Sequence, residues 1–332
     1  MISFKYNRTA LIAISCILFV FTTFESFGQR SKGVVKRMTL KSVQQENGLD
    51  PEKSFVKRVD TTPNDVLKMF REAGMSPTKH QLTKEELKIV AAAFKVLPPL
   101  HQRVLKQHLK SFSFLDNMPN TALTSPVVVK RGINLYHITF RAGILHQNVS
   151  EWVNEKERTC FAGGDSTSKV SIEAGWLSAF TYILLHEGTH VVDGSLRLNV
   201  VDSVGGKLKP NKFIAGFSNG IWKNYNTLSL AVIDSIAIKS RFMPGGRRYK
   251  IDEAEAVYLG LSKTPFVSLY STASWHEDLA ELLTVYHLTK YLNQPFRVVV
   301  SKNGEDKFSY EPIKSATVQK RLSLLNYFYD QS

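Results

Sequence analysis

The segment His186-Glu187-Gly188-Thr189-His190 decides how the rest of the chain is interpreted, because it has the spacing H-E-x-x-H. Residues four apart on a helix lie on the same face, so both imidazoles can point at one position in space. Zinc accepts neutral imidazole at such a position. The glutamate leaves the helix about 100° from the first histidine and can take a proton from a metal-bound water without being a ligand. The alternative is an amphipathic helix with two satisfied histidines and a surface glutamate.

The residues around the motif predict that its helix lies in the core. The predicted helix runs from about Trp176 to Asp193 and is apolar around nearly its whole circumference, which is typical of a core helix. Gly194 follows at the position of a C-terminal cap. Gly188, inside the helix, costs about 1 kcal/mol relative to alanine, so it indicates the close approach of another backbone or of a substrate. Ionisable side chains on so apolar a helix need partners, and a metal ion would provide one.

A catalytic zinc usually has three protein ligands, so a third ligand has to come from elsewhere in the chain. The segment Ser271-Thr-Ala-Ser-Trp-His-Glu-Asp-Leu-Ala-Glu281 opens a second helix, on which Glu277 and Glu281 share a face. Glu277 is the predicted ligand, and Glu281 is predicted to accept a hydrogen bond from a liganding histidine. Ser274-x-x-Glu277 is also a capping box, which gives Glu277 a competing role at the helix N-terminus.

Two further side chains compete for a place at the metal. His276 precedes Glu277, but neighbouring positions on a helix point in different directions, so His276 ranks below Glu277 as a ligand. Asp193 follows His190 by three residues. Three residues at i, i+4 and i+7 on one straight helix cannot easily converge on an ion at about 2 Å per bond. Asp193 is therefore predicted to support a ligand or to cap the helix end.

The two segments resemble the gluzincin zinc metallopeptidases, in which the third ligand is a glutamate on the helix after the H-E-x-x-H helix. The nearer similarity is to the branch that contains anthrax lethal factor. There the second helix carries E-x-x-A-E, and a tyrosine lies seven residues before the ligand glutamate. Glu277-Asp-Leu-Ala-Glu281 has this pattern, and Tyr270 lies seven residues before Glu277.

This resemblance implies an α+β, zincin-like fold with a central H-E-x-x-H helix and a sheet edge above the cleft. It implies zinc-dependent hydrolysis of peptide bonds, with Glu187 as general base and Tyr270 as a hydrogen-bond donor to the developing oxyanion. An ordinary packed aromatic is the alternative for Tyr270. The resemblance covers only about Lys169 to Lys290, and Thr189 stands where many relatives have glycine. A protein or peptide substrate is expected, but nothing finer carries over.

The remaining chain divides by composition and periodicity. Residues 1–28 have a short basic region and an apolar run, which predicts a signal peptide and export to the periplasm or the exterior; an uncleaved membrane anchor is the alternative. The polar residues 29–62 predict a flexible leader. Periodic, capped segments in residues 63–120 predict a small helical lobe. Residues 121–332 are the predicted catalytic domain, with an irregular insertion at residues 195–265.

Composition limits the classes of partner. The chain has 332 residues, 43% of them hydrophobic, which suffices for a sizeable core. The net charge of +14 favours attraction to acidic surfaces, but no nucleic-acid-binding motif accompanies it. After removal of a signal peptide no stable membrane span would remain, and Cys160 would be the one cysteine left. Neither an intramolecular disulfide nor a cysteine-bound zinc is therefore expected.

Two other functions are compatible with the same residues. The first is an exported zinc-containing binding or structural protein that has a peptidase fold with little or no turnover. The second is a metal hydrolase that acts on a non-peptide amide of the cell wall. A peptide digest with and without chelator distinguishes hydrolysis of peptides from both, whereas zinc content alone does not.

Overall fold

Helices and strands are mixed along residues 38–198, 201–204, 207–210, 212–229 and 236–330, which the computed structural model describes. In chain order, the α-helices of this part are α1 Leu40–Glu46, α2 Asn64–Glu72, α3 Lys84–Lys95, α4 Pro99–His108, α5 Val149–Arg158, α6 Ala179–Leu196, α7 Lys212–Ser218, α8 Ala254–Ser262, α9 Trp275–Lys290 and α10 Ala316–Leu322. Its strands are β1 Thr78–Lys79, β2 Leu109–Asp116, β3 Ala122–Lys130, β4 Ile133–Arg141, β5 Ser168–Glu173, β6 Val201–Val204, β7 Lys207–Pro210, β8 Trp222–Asn224, β9 Thr227–Leu228, β10 Arg297–Lys302 and β11 Glu305–Tyr310. The predicted α+β class is confirmed.

The largest sheet supports the motif helix from one side. Its strand order is β1-β2-β4-β3, with β2 parallel and β3 antiparallel to β4, so β3 forms one edge. Strand β2 is buried along nearly its whole length, because helices cover its apolar side chains. Phe180 of α6 packs against Phe114 and Phe140, with ring centroids 5.7 and 4.9 Å apart. Burial of each such side chain contributes about 2 kcal/mol, which fixes α6 on the sheet.

A second sheet has the order β11-β10-β5. The hairpin between β10 and β11 turns at Asn303 and Gly304, which both have positive φ, 54° and 80°. This is the turn that Asn-Gly favours between two strands. Helices α5 and α8 pack on this sheet, and α5 also contacts α6. The sheet therefore holds α5 beside the motif helix.

The motif helix is the centre of the core, as its apolar sequence predicts. Helix α6 contacts α3, α4, α5 and α9 as well as strands β3 and β4. Every residue from Ala179 to Asp193 is buried except His190, which is half-buried. The polar side chains of α6 are thus largely enclosed by protein, and its two histidines must find partners on neighbouring elements.

The bounds of this helix differ from the sequence prediction by three residues at each end. Trp176 lies outside the helix with 86% of its surface exposed, and its backbone N–H donates to the side-chain oxygen of Gln294. The helix begins after Ser178, whose hydroxyl accepts the N–H of Phe180. It continues past Gly194 and ends before Arg197, whose backbone is left-handed (φ 53°). Gly194 is not the cap: a β-carbon there would lie 2.2 Å from the hydroxyl oxygen of Tyr136, so the position needs glycine for close packing.

The flexible leader predicted for residues 29–62 is wrong for residues 39–62. Thr39 caps α1, and Val43 and Leu49 are buried. The guanidinium of Arg58 is buried and donates to the carbonyl oxygens of Leu105 and Leu109, at 3.1 and 2.7 Å. Arg58 thus anchors this segment to the end of α4, although the sequence of the segment has no apolar periodicity. The predicted signal peptide, residues 1–28, lies outside the described residues.

The structure also differs from the predicted boundary between a helical lobe and a catalytic domain at residue 120. Strand β2, in the predicted lobe, pairs in parallel with β4, in the predicted domain. Residues 39–332 accordingly form one compact unit. Among the described residues, no helix combines the length and the apolar character that crossing a bilayer requires.

Candidate metal centre

Helices α6 and α9 bring the three predicted ligands together. Nε2 of His186 lies 2.9 Å from Oε2 of Glu277 and 3.2 Å from Nε2 of His190. Nε2 of His190 lies 3.6 Å from the same Glu277 oxygen. Glu277 lies 91 positions after His186 in the sequence, so the packing of the two helices against each other creates the cluster.

The size of this triangle is compatible with a zinc ion. Bonds of about 2.1 Å in tetrahedral geometry place neighbouring ligand atoms about 3.4 Å apart, and the three edges scatter around that value. Two imidazole nitrogens and one carboxylate oxygen are also a donor set that zinc accepts, with one position left for another ligand. His186, His190 and Glu277 therefore fit a zinc ion in both spacing and chemistry.

The competing role of Glu277 as a helix cap involves only its backbone. Its N–H donates to the hydroxyl oxygen of Ser274 at 3.3 Å, so Ser274 caps α9. The carboxylate does not return to the cap, as it would in a full capping box, but points at the histidines. The backbone N–H of Glu277 thus belongs to the cap, whereas its carboxylate lies against the histidines and is available as a candidate ligand.

Glu281 lies one turn further along α9, behind His186. Its Oε1 lies 3.0 Å from Nδ1 of His186, although the two atoms are poorly aligned for a hydrogen bond. Its Oε2 accepts the hydroxyls of Tyr182 at 3.0 Å and Ser268 at 2.7 Å. Lys156 of α5 places its ammonium 3.3 Å from Oε1. These contacts hold a buried carboxylate beside the outer nitrogen of the histidine, where the sequence predicts a supporting acid.

The carboxylates dominate the electrostatics of the centre. Burial by itself lowers the pKa of His186, but Glu277 and Glu281 outweigh it and raise this pKa to about 10. Burial likewise opposes ionisation of Glu277, but His190 and His186 hold its pKa well below the usual value. The cluster therefore favours positive charge at its centre, which protons or a metal cation can supply.

Glu187 has a partner that the sequence does not predict. The hydroxyl of Thr124, on the edge strand β3, donates to Oε2 of Glu187 at 2.6 Å. Both side chains are buried, and Glu187 lies on α6 next to the first histidine. The general-base candidate is thus fixed from the sheet side of the cluster.

Tyr270 lies in the short 3-10 helix Tyr270–Thr272, just before α9. Its ring stacks on that of His186, with centroids 5.8 Å apart, and the ammonium of Lys156 lies 3.9 Å from its centre. Burial raises the pKa of Tyr270 well above the usual value, and the carboxylates of Glu277 and Glu187 raise it further. The phenol therefore keeps its proton and can act as a donor.

Asp193 and His276 contact each other and lie outside the cluster of candidate ligands. Oδ2 of Asp193 lies against Nδ1 of His276, and the aspartate is 3% exposed. The His276 ring stacks on Trp275, with centroids 4.0 Å apart. Neither side chain belongs to the group of converging donors, in agreement with the lower rank that spacing gives to both. Asp193 supports His276 and does not cap the helix end.

The group that approaches Gly188 closely in the structure is a side chain and not a second backbone. A β-carbon on Gly188 would lie 3.1 Å from Cδ2 of His101, which comes from α4. Nε2 of His101 lies 3.0 Å from the hydroxyl of Thr189, which itself donates to the carbonyl oxygen of Leu185. Nε2 of His101 must therefore carry a proton and donate. Burial lowers the pKa of His101 to about 3, so the ring stays neutral.

Comparison with known proteins gives no relative from which the chemistry of this centre could be inferred. No family model, curated protein or solved structure matches the chain. The similarity to gluzincins therefore depends on the two motif segments alone.

Proposed function

We propose that the protein is a zinc-dependent peptidase with a zincin-like fold, in which His186, His190 and Glu277 hold the metal. The observation that carries the proposal is the convergence of these donors, at 2.9 to 3.6 Å, from two separate helices beside Glu187. Three protein ligands leave one position at a zinc ion, where the metal supplies Lewis acidity for the attack of water. The convergence of the three side chains supports the proposal more strongly than the spacing of the residues does, because spacing alone also allows Glu277 to act as a helix cap.

The other residues of the site have roles that follow from their surroundings. Glu187 accepts the proton of the attacking water and transfers it towards the leaving nitrogen. Glu281 holds the His186 ring from its other nitrogen.

The position of β3 supports a peptide as the substrate. This strand is an edge of its sheet, and Thr124 on it contacts the side chain of Glu187. The outer N–H and C=O groups of an edge strand can pair with an extended peptide. Such pairing would bring a peptide bond close to the metal centre. Export, by a signal peptide in residues 1–28, is part of the same proposal.

The test is a digest of casein and of a peptide library by wild-type protein and by Glu187→Gln. Zinc-loaded wild type should hydrolyse peptide bonds and lose this activity on chelation. Glu187→Gln should retain zinc and lose activity by about 100-fold or more, because a general base contributes about 10²- to 10⁴-fold. Glu255→Gln, at an exposed position on α8, is the matched control.

Other outcomes of this digest would contradict the proposal or part of it. Zinc binding without any peptide product would favour a binding or structural protein, or hydrolysis of a non-peptide amide. Near wild-type activity of Glu187→Gln would refute the general-base assignment. Loss of zinc in Glu187→Gln would mean that Glu187 is a ligand, and that the ligand set is incomplete.

A further inference from the structure

We propose that Thr124 is a positioning residue, which holds the carboxylate of Glu187 in the orientation required for proton transfer. This inference rests on the proposed peptidase function, and it adds a residue that neither the motifs nor their spacing indicate. Thr124 lies 63 positions before Glu187 in the sequence and reaches it only because β3 packs on α6.

The contact itself is short and buried. Oγ1 of Thr124 lies 2.6 Å from Oε2 of Glu187, within the range of a hydrogen bond from a hydroxyl to an oxygen. The same hydroxyl lies 3.4 Å from the backbone carbonyl oxygen of Glu187, a much weaker contact. Thr124 is 5% exposed and Glu187 is 9% exposed. Little water competes for this hydrogen bond, so it restricts the carboxylate strongly.

The donor is fixed by the sheet. Thr124 is paired with Ile138 of β4, which is fully buried in the interior of the sheet. A β-branched side chain has few rotamers, so the position of the strand sets the direction of the hydroxyl. The glutamate, in contrast, has several rotatable bonds and would adopt several orientations on its helix without a partner.

The hydrogen bond engages one oxygen of the carboxylate and leaves the other to accept a proton. Among the described residues, the side chain that donates a hydrogen bond to the Glu187 carboxylate is Thr124. A base held by one oxygen points the second in a constant direction. Proximity and orientation of this kind are worth about 100-fold in rate for a displacement of about 1 Å.

Packing alone does not require a hydroxyl at this position. Valine has nearly the same shape as threonine and suits an edge strand at least as well. A threonine that serves only the strand should therefore be replaceable by valine without loss. A threonine that orients Glu187 should be replaceable by serine, which keeps the donor, but not by valine.

The experiment compares zinc-loaded wild type, Thr124→Val, Thr124→Ser, Glu187→Gln and the double variant Thr124→Val/Glu187→Gln. Thr124→Val should keep zinc and lower kcat by about 10- to 100-fold with little change in KM, whereas Thr124→Ser should keep most activity. In the Glu187→Gln background, Thr124→Val should cause no further loss, because the group on which it acts is gone. Thr124→Ala is a second variant without a hydroxyl if valine impairs folding.

Crystal structures of wild type and Thr124→Val separate this inference from the proposed function. The Glu187 carboxylate should occupy one position in wild type and leave it in Thr124→Val. An unmoved carboxylate in Thr124→Val would overturn the positioning role, whatever the activity. An equal loss from Thr124→Val with and without Glu187 would overturn it too. Absence of peptide hydrolysis by wild type would refute the peptidase function, while the displacement of the carboxylate still decides the role of Thr124.

Discussion

Nδ1 of His186 lies 3.0 Å from Oε1 of Glu281, while Nε2 of the same ring lies 2.9 Å from Oε2 of Glu277. One imidazole is thus placed between two carboxylates that lie four residues apart on α9. A carboxylate beside Nδ1 favours a proton on that nitrogen, and this tautomer leaves Nε2 as the nitrogen that could bind a metal. In the proposed zinc site, α9 would therefore supply one ligand, Glu277, and a carboxylate beside another, His186.

Glu281→Gln should weaken zinc binding without removing a ligand. A neutral amide beside Nδ1 of His186 orients the ring less well and makes it less basic, so zinc affinity should fall about 10- to 100-fold. Competition with a chromophoric chelator measures the affinity directly. Glu255→Gln should leave it unchanged. An unaltered affinity in Glu281→Gln would show that Glu281 serves only the packing around Lys156 and Tyr182.

Glu157 should make the protein less stable as the pH rises. It is buried and accepts the hydroxyl of Tyr258, and burial raises its pKa from 4.5 to about 7. Between these values the folded state binds more protons than the unfolded chain, so the free energy of unfolding falls as pH increases through this range. Above pH 7, where Glu157 is ionised in the folded protein too, its burial lowers the free energy of unfolding by on the order of 3 kcal/mol.

Glu157→Gln removes this dependence. The free energy of unfolding of the variant should therefore increase relative to that of wild type between pH 4.5 and pH 7. Above pH 7 the difference between the two proteins should stay constant. Urea denaturation at pH 5 and pH 8 measures the change. The same stability difference at both values would contradict the raised pKa of Glu157.

Arg321→Met should destabilise the fold strongly. The guanidinium of Arg321 makes two hydrogen bonds to the buried carboxylate of Asp278, at 3.0 and 2.7 Å, and Trp222 donates a third at 2.8 Å. Loss of the arginine leaves a buried charge without its counter-ion, which costs about 3–5 kcal/mol. The free energy of unfolding in urea should show this cost, whereas Arg103→Met, at an exposed position on α4, should change it by less than about 0.5 kcal/mol.

A stable Arg321→Met would mean that Asp278 is protonated in the folded protein. Burial does raise the pKa of Asp278, although Arg321 and Trp222 oppose this. The double variant Arg321→Met/Asp278→Asn distinguishes the cases. It should recover much of the lost stability if the carboxylate is charged, and little if it is already neutral.

Local sequence predicts the parts of this protein that depend on neighbours in the chain. The capping box at Thr83 and Glu86, the turn at Asn303-Gly304 and the apolar surface of the motif helix are all present in the structure. Each depends on residues within a few positions of one another. The convergence of Glu277 on the two histidines was predicted from spacing along two helices, and the packing of α6 on α9 brings the side chains together.

Contacts between distant residues explain what the sequence did not predict. Trp176, outside α6, is held by Gln294, 118 positions away, and the segment around α1 is anchored by Arg58, 47 positions from Leu105. Lys156 and Thr124 reach the centre across 125 and 63 positions. A single lysine on a helix or threonine on a strand carries no pattern that marks such a contact. Their roles appear only when the chain is folded.

Zinc analysis of purified wild type and Glu277→Ala is the decisive measurement for the ligand set. Wild type should bind about one zinc tightly per chain, and Glu277→Ala should remain folded but lose much of its zinc affinity, because three converging ligands define the proposed centre. Asp193→Ala, which removes a carboxylate outside the cluster, should retain the metal. Undiminished zinc binding by Glu277→Ala would contradict the ligand set and, with it, the proposed peptidase.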